Sequence, residues 1–283
     1  MNIDINTKMI TLLGTPLAQS FAARMQNRGY EAAGLNMVYF YTETDREHLG
    51  DIINGIRYMN FAGFAVTKPN KVEVMKYLDS CDELCRKMGS CNTVVRSQDG
   101  KLTGYNTDGY GFFESIRMHG IEVSGNSFLC IGSGGAGRAI CSVLAYNGAQ
   151  KILITDVMEE YGKALADDIN KNFAPVAEFI SAENLSRADE ASVIINASGI
   201  GMGSTIGQSP IDKKYIKGQF CFDACYNPEK TQFLLDAEAA GCRILNGLEM
   251  SLYQGAAQIR LWTGKAAPVD EMREELIKII SES

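Results

Sequence analysis

A chain of 283 residues has room for two domains of the usual ~100–200 residues rather than one or three. Its 46% hydrophobic and 22% charged residues are enough to build a core without disulfides or metals. The formal charge of -7 excludes nucleic acid or an anionic membrane as the main partner, and no apolar run approaches the ~20 residues that cross a bilayer. The polar amino-terminal residues lack a signal-peptide layout, so a cytoplasmic location is expected. The closest cysteine pairs, Cys81/Cys85 and Cys221/Cys225, have no histidine nearby. They are read as reduced structural thiols, and no metal site is expected.

In chain order, Met9–Leu13 reads as an apolar strand, the segment from Phe21 to Ala33 as a helix, and Met37–Tyr41 as a strand rich in β-formers. From Asp45 to Tyr58, Leu49, Ile52, Ile53 and Ile56 share one helical face. A third strand runs from Phe61 to Thr67 and breaks at Pro69, and Lys71–Leu78 can form a helix. Asn92–Arg96 and Lys101–Tyr105 flank Asp99-Gly100, a hairpin turn. A second block begins near residue 108. Its strand Phe128–Ile131 enters a glycine turn, and the helix Ala136–Asn147 closes at Gly148. Strand Ile152–Thr155, helix Glu159–Asn172 and strands near Val176–Ile180, Val193–Asn196, Phe220–Phe222 and Ile244–Leu245 follow. Helices near Met250–Trp262 and Val269–Ile280 end the chain, and their spacing predicts packing against the first block.

This order predicts an α/β fold with two domains. An N-terminal α/β domain, residues 1–108 completed by helices in 249–283, is followed by a Rossmann-type, doubly wound parallel sheet in 109–248.

Gly132-x-Gly134-x-x-Gly137, with Gly135 and Ala136 inside it, has both glycine spacings of a dinucleotide loop. The first glycine permits the turn, the second admits pyrophosphate to backbone N–H groups, and the third lets helix pack on strand. Asp156 ends the next strand, where a carboxylate accepts from the adenosine ribose hydroxyls. A 2'-phosphate there would meet acid and no arginine, so NAD is expected in preference to NADP, with NADP possible as the second cofactor.

His48 and His119 sit in a polar helix context and before Gly120, so both read as surface or capping residues. Lys71, after a strand–Pro turn, and Asp108, at the seam between blocks, are the candidates for proton transfer. A lysine and a carboxylate sharing a cleft polarise a carbonyl and exchange a proton with its alcohol, and either of the two can carry that proton.

Several motifs recur in order along nearly the whole chain: Gly14-Thr-Pro16 with Ser20, Val66-Thr67-Lys68-Pro69-Asn70-Lys71, Cys91-Asn92-Thr93 and Gly104-Tyr105-Asn106-Thr107-Asp108-Gly109. The glycine loop, Asn196 to Met202, Asp223 with Tyr226-Asn-Pro228 and Thr231, and Gly247-Leu-Glu-Met250 with Gln254 complete the set. With them the chain resembles the shikimate dehydrogenase family. The resemblance implies reversible hydride transfer between a nicotinamide cofactor and a ring hydroxy acid such as shikimate or quinate, as part of the shikimate pathway. It implies that Lys71 and Asp108 are the catalytic pair, and that Ser20, Thr67, Asn92, Tyr226 and Gln254 line the substrate pocket. Ser198, Gly201, Met202 and Gly247 are implied to lie along the cofactor.

Two positions depart from the family pattern. Ser20-Phe21-Ala22-Ala23 lacks the second serine that holds the substrate carboxylate, and Ala65 stands where an asparagine is usual. A lost hydrogen bond to a charged group is worth ~1.5–3 kcal/mol, roughly tenfold to a hundredfold in affinity. The alternative is therefore the same chemistry on a related cyclic polyol or amino-substituted ring acid. Met25-Gln26-Asn27, Pro69-Asn70-Lys71 and Gly104-Tyr105-Asn106 resemble the quinate/shikimate branch. A non-catalytic NAD sensor is disfavoured by Lys71, Asp108 and Asn92, which a sensor does not need. A monomer or homodimer is expected.

Overall fold

The computed structural model describes residues 3–18 and 20–282. The chain divides into two compact units, Met1–Thr107 with Leu252–Ser283, and Asp108–Ser251.

The first unit holds a six-stranded sheet. Its strands are β1 (Lys8–Gly14), β2 (Met37–Glu43), β3 (Phe61–Val66), β4 (Ser80–Cys81), β5 (Thr93–Arg96) and β6 (Leu102–Tyr105), in the order β2-β1-β3-β5-β6-β4. β1 lies parallel to β2 and β3, while β5 runs antiparallel to both β3 and β6. The parallel pairs need crossovers, supplied by α1 (Ala22–Ala32) and α2 (Leu49–Tyr58); α3 (Glu83–Met88) follows β4. α2 buries Leu49, Ile53 and Ile56, the stripe its spacing demands. Residues 71–78 form only a short 3-10 helix, Glu73–Tyr77, instead of the expected α-helix.

The second unit opens within α4 (Thr107–Met118) and builds a wholly parallel sheet from β7 (Ser127–Ile131), β8 (Lys151–Thr155), β9 (Ala177–Phe179), β10 (Val193–Asn196), β11 (Phe220–Asp223) and β12 (Arg243–Asn246). The strand order β12-β11-β10-β7-β8-β9 reverses at β7, as in a doubly wound dinucleotide fold. The expected fold class, α/β with a Rossmann-type second sheet, is the one observed. Helices α5 (Gly135–Tyr146), α6 (Glu159–Asn172) and α7 (Gln232–Ala239) connect strands. β7 and β10 present near-continuous apolar, buried runs, as strands covered on both faces do. Phe112 meets Phe222 edge-on in this core, with centroids 4.9 Å apart.

α8 (Leu248–Thr263) starts in the second unit and ends in the first, which α9 (Val269–Glu282) completes. Trp262 donates its indole N–H to the Val94 carbonyl at 3.0 Å, and Arg24 on α1 bonds Glu275 on α9 at 2.7 Å. The terminal helices therefore belong to the core of the first unit. All eight cysteines are unpaired. Among the described residues no helix is long and apolar enough to cross a membrane.

Candidate functional site

In the second unit, the loop after β7 makes a cradle. Gly132 has φ +104°, and a Cβ there would stand 2.7 Å from the Ser198 backbone. A Cβ on Gly137 would come within 2.0 Å of the Gly132 carbonyl oxygen, so both positions require glycine for close backbone approach. Gly134 caps α5 with no side-chain cap, and a Cβ on Gly134 or Gly135 would meet nothing within 4 Å. Ala136 is in the first turn of α5. The first N–H groups of α5 are thus uncovered at the positive end of the helix dipole, which fits the pyrophosphate of a dinucleotide.

Asp156 follows β8, but its carboxylate is already engaged. Its Oδ2 accepts from the Ser133 backbone N–H at 2.7 Å and the Ser133 hydroxyl at 2.5 Å, and its Oδ1 from the Met158 N–H at 2.9 Å. Burial pushes this carboxyl up, yet the hydrogen bonds outweigh it and hold the group below the usual carboxylate range. Asp156 ties the glycine loop to the turn after β8.

A second buried carboxylate, Asp223 at the end of β11, organises two further loops. It accepts from the Asn196 amide at 2.9 Å, the Thr231 hydroxyl at 2.5 Å and the Cys225 N–H at 2.9 Å. Burial raises its pKa against these bonds. Asn196 in turn accepts from the Ser198 N–H at 3.1 Å and hydroxyl at 2.7 Å, and the Gly201 N–H donates to Thr205 at 3.0 Å. Met202 is exposed. The Gly247 N–H donates to the Cys225 carbonyl at 3.0 Å. Tyr226 is half-buried, and that burial raises its phenol, so it stays a neutral hydrogen-bonding group.

In the first unit, the turn before Lys71 is braced on both sides. The Thr67 N–H donates to the Leu13 carbonyl at 2.9 Å, and the Asn70 side-chain amide to the Thr44 carbonyl at 2.9 Å. The Lys71 carbonyl accepts from the Cys91 N–H at 2.8 Å, which ties Lys71 to the residue before Asn92. Asn92 is buried, and its Oδ1 accepts from the Thr107 N–H at 2.8 Å and the Thr93 hydroxyl at 2.9 Å. Its Nδ2 donates to the Thr107 hydroxyl at 3.0 Å and to Gln254 Oε1 at 3.5 Å. Asn92 and Gln254, far apart in sequence, are brought together here. Ser20 stands at the start of α1, where its carbonyl accepts from the Tyr41 hydroxyl at 2.6 Å. Asp108 is in the first turn of α4, directly after Thr107.

Neither histidine joins these groups: His48 is exposed against Asp45 at 3.0 Å, and His119 bonds the Ser115 carbonyl at 2.8 Å. Thr93 and Thr107 were quoted only as motif residues without a role and Gln258 was not singled out from the sequence, although all three are buried polar residues around Asn92. A usable signal existed for one: Gln258 is four residues after Gln254 on a helix, hence on the same face.

Two family models match this chain. One, described as the shikimate dehydrogenase substrate binding domain, covers residues 12–94; the other, the shikimate 5'-dehydrogenase C-terminal domain, covers residues 247–277. A shikimate dehydrogenase (NADP(+)) of Caldanaerobacter subterraneus subsp. tengcongensis is 35% identical over 98% of this chain and 99% of its own. Among solved structures, shikimate 5-dehydrogenase of Listeria monocytogenes in complex with shikimate and NAD is 33% identical, with TM-score 0.93 over 98% of both chains. A shikimate dehydrogenase in complex with NADP+ is 32% identical, with TM-score 0.92 over 99% of this chain and 98% of its own. Quinate dehydrogenase of Corynebacterium glutamicum in complex with NAD is 28% identical, with TM-score 0.90 over 96% and 99%.

The relatives overturn the expected preference for NAD. Curated relatives bear the name shikimate dehydrogenase (NADP(+)), and an NADP+ complex is among the similar structures. The physical reason is visible at Asp156: a carboxylate that closes the chain's own loop through Ser133 and Met158 does not report which ribose it would meet. What does carry across from relative to relative is the ordered fold and the enzymatic class, and on the full-length match at more than a third identity this chain belongs to the shikimate dehydrogenase family of oxidoreductases.

Proposed function

We propose that the enzyme interconverts shikimate and 3-dehydroshikimate with NADP(H). The reading is carried by the Asn92–Thr107–Gln254 cluster, a buried polar surface made of amides and a hydroxyl, which suits a ligand bearing ring hydroxyls. The first unit binds the ring acid, with Ser20, Thr67, Asn92 and Gln254. The second unit holds the cofactor through Gly132, Gly134, Gly135, Ala136 and Gly137, with Ser198, Gly201, Met202 and Gly247 alongside. NADP+ held there would supply the hydride acceptor for the carbinol carbon. Lys71 and Asp108 manage the hydroxyl proton as general acid and base. The bracing of the Lys71 turn by Thr67 and Asn70 fixes the backbone from which the lysine side chain starts, and fixed placement of a reacting group lowers a barrier. Eight unpaired thiols fit the cytoplasm as the place of action.

A second reading, quinate or a related ring acid, is favoured by Ala65. It is buried, and it pairs across the sheet with Thr93, so a methyl stands where a polar side chain would add a ligand contact. The test is kcat/KM for shikimate and quinate, each with NADP+ and NAD+. Shikimate with NADP+ is expected to be the best pair. No turnover of shikimate above background rejects the first reading, and a quinate value above that for shikimate installs the second.

A further inference from the structure

The polarity of the amide cluster in the first unit follows from groups that have no choice. The Gly255 carbonyl can only accept, and Gln26 Nε2 donates to it at 3.1 Å. The same Nε2 donates to Gln258 Oε1 at 3.0 Å. Gln258 must then present its Nε2, which donates to the Thr93 hydroxyl at 3.0 Å. A hydroxyl has one proton to give, and Thr93, having accepted, donates to Asn92 Oδ1 at 2.9 Å. From the other side the Thr107 backbone N–H, which can only donate, meets the same Oδ1 at 2.8 Å. Asn92 is thus held with its Nδ2 toward Thr107 and Gln254.

Gln254 closes the relay. Its Oε1 accepts from Asn92 Nδ2 at 3.5 Å, and the one Thr107 hydroxyl proton is shared between it at 3.4 Å and Asn92 Oδ1 at 3.2 Å. Turning that amide over would set its N–H groups against the Asn92 donor and leave the Thr107 proton to Asn92 Oδ1 alone. Gln26 shows that this polarity is enforced at a cost: its Oε1 is buried without a hydrogen-bond partner, an arrangement that works against folding.

We infer that Thr107, backed by Thr93 and Gln258, is a positioning residue that fixes the amide polarity of Gln254, so that this wall of the site offers the ligand a hydrogen-bond donor. The ligand atom there is accordingly an acceptor, a hydroxyl or carboxylate oxygen. The inference rests on the proposed function for the place and identity of the ligand.

Thr107→Val keeps shape and removes the hydroxyl. It is expected to raise KM for the ring acid about fivefold to twentyfold, the range for one misplaced hydrogen bond. The KM for NADP+ should stay within twofold, and Thr107→Ser should restore the wild-type KM. Gln258→Met should raise the same KM about threefold, and the double variant should be no worse than Thr107→Val alone, because coupled residues do not add. Additive effects, failure of the serine to rescue, or equal losses in both KM values overturn the inference. Side-chain amide NMR of the whole enzyme decides it independently of turnover. In folded Thr107→Val, verified by its melting curve, the Gln254 and Asn92 amide signals should move; if they stay in place the relay is wrong. A wild-type enzyme inactive on shikimate would reject the proposed substrate and leave this second measurement to judge the relay.

Discussion

Lys71→Met is expected to lower kcat for the ring acid by roughly 10²–10⁴-fold, the contribution of a positioned proton-transfer group. Methionine retains an unbranched stem and loses the ammonium. The turn that carries residue 71 is held by backbone and by Asn70, not by the lysine head: Thr67 bonds Leu13, Asn70 bonds Thr44, and the Lys71 carbonyl bonds Cys91. The fold around Asn92 should therefore survive the change, and NADP+ affinity, measured by fluorescence titration, should be nearly that of the wild type. A variant turning over within tenfold of wild type would remove Lys71 from proton transfer. A variant that also lost NADP+ would show that the residue acts on the fold.

Gly137→Val should have the complementary effect. Its Cβ would lie 2.0 Å from the Gly132 carbonyl oxygen, a backbone atom that cannot rotate away. Either the loop or the start of α5 must shift, and overpacking of this kind costs ~1–3 kcal/mol or more. Because the same loop exposes the N–H groups at the start of α5, NADP+ binding should weaken by more than tenfold. Substrate binding to the first unit, followed by calorimetry with shikimate alone, should change little. Undiminished NADP+ affinity in a folded Gly137→Val enzyme would place the cofactor elsewhere.

The sequence showed the sheets well because their strands carry their own signal. Val193–Asn196 and Phe128–Ile131 are short, apolar and bounded by polar residues, and β10 and β7 fall within a residue of those limits. Helix α4 was legible only at its end near His119, since it opens with Thr107-Asp108-Gly109 and contains Gly111, residues with poor helix propensity. Residues 71–78 failed in the opposite sense. Their composition permits a helix, but the Lys71 carbonyl is committed to the Cys91 N–H and Met75 bonds back only three residues, to Val72, which leaves one tight 3-10 turn.

The site was legible as a set of residue types and illegible as a network. Asp156 was visible as an acid after a strand, yet its task depends on Ser133, 23 positions earlier. The relay from Gln26 through Gln258 to Thr93 spans separations of 232 and 165 residues, which no local pattern reports. Ala65 was read as standing in place of a polar group; it lies opposite Thr93 across the sheet.

Direct hydride transfer from the ring acid to NADP+ is the step on which the proposed reaction turns. The most direct measurement uses shikimate carrying deuterium on the carbinol carbon that is oxidised, with the NADPH formed analysed by mass spectrometry. One deuterium per turnover is expected in the NADPH, with a primary isotope effect slowing the chemical step. Deuterium released to solvent, with unlabelled NADPH or none formed, would contradict direct transfer.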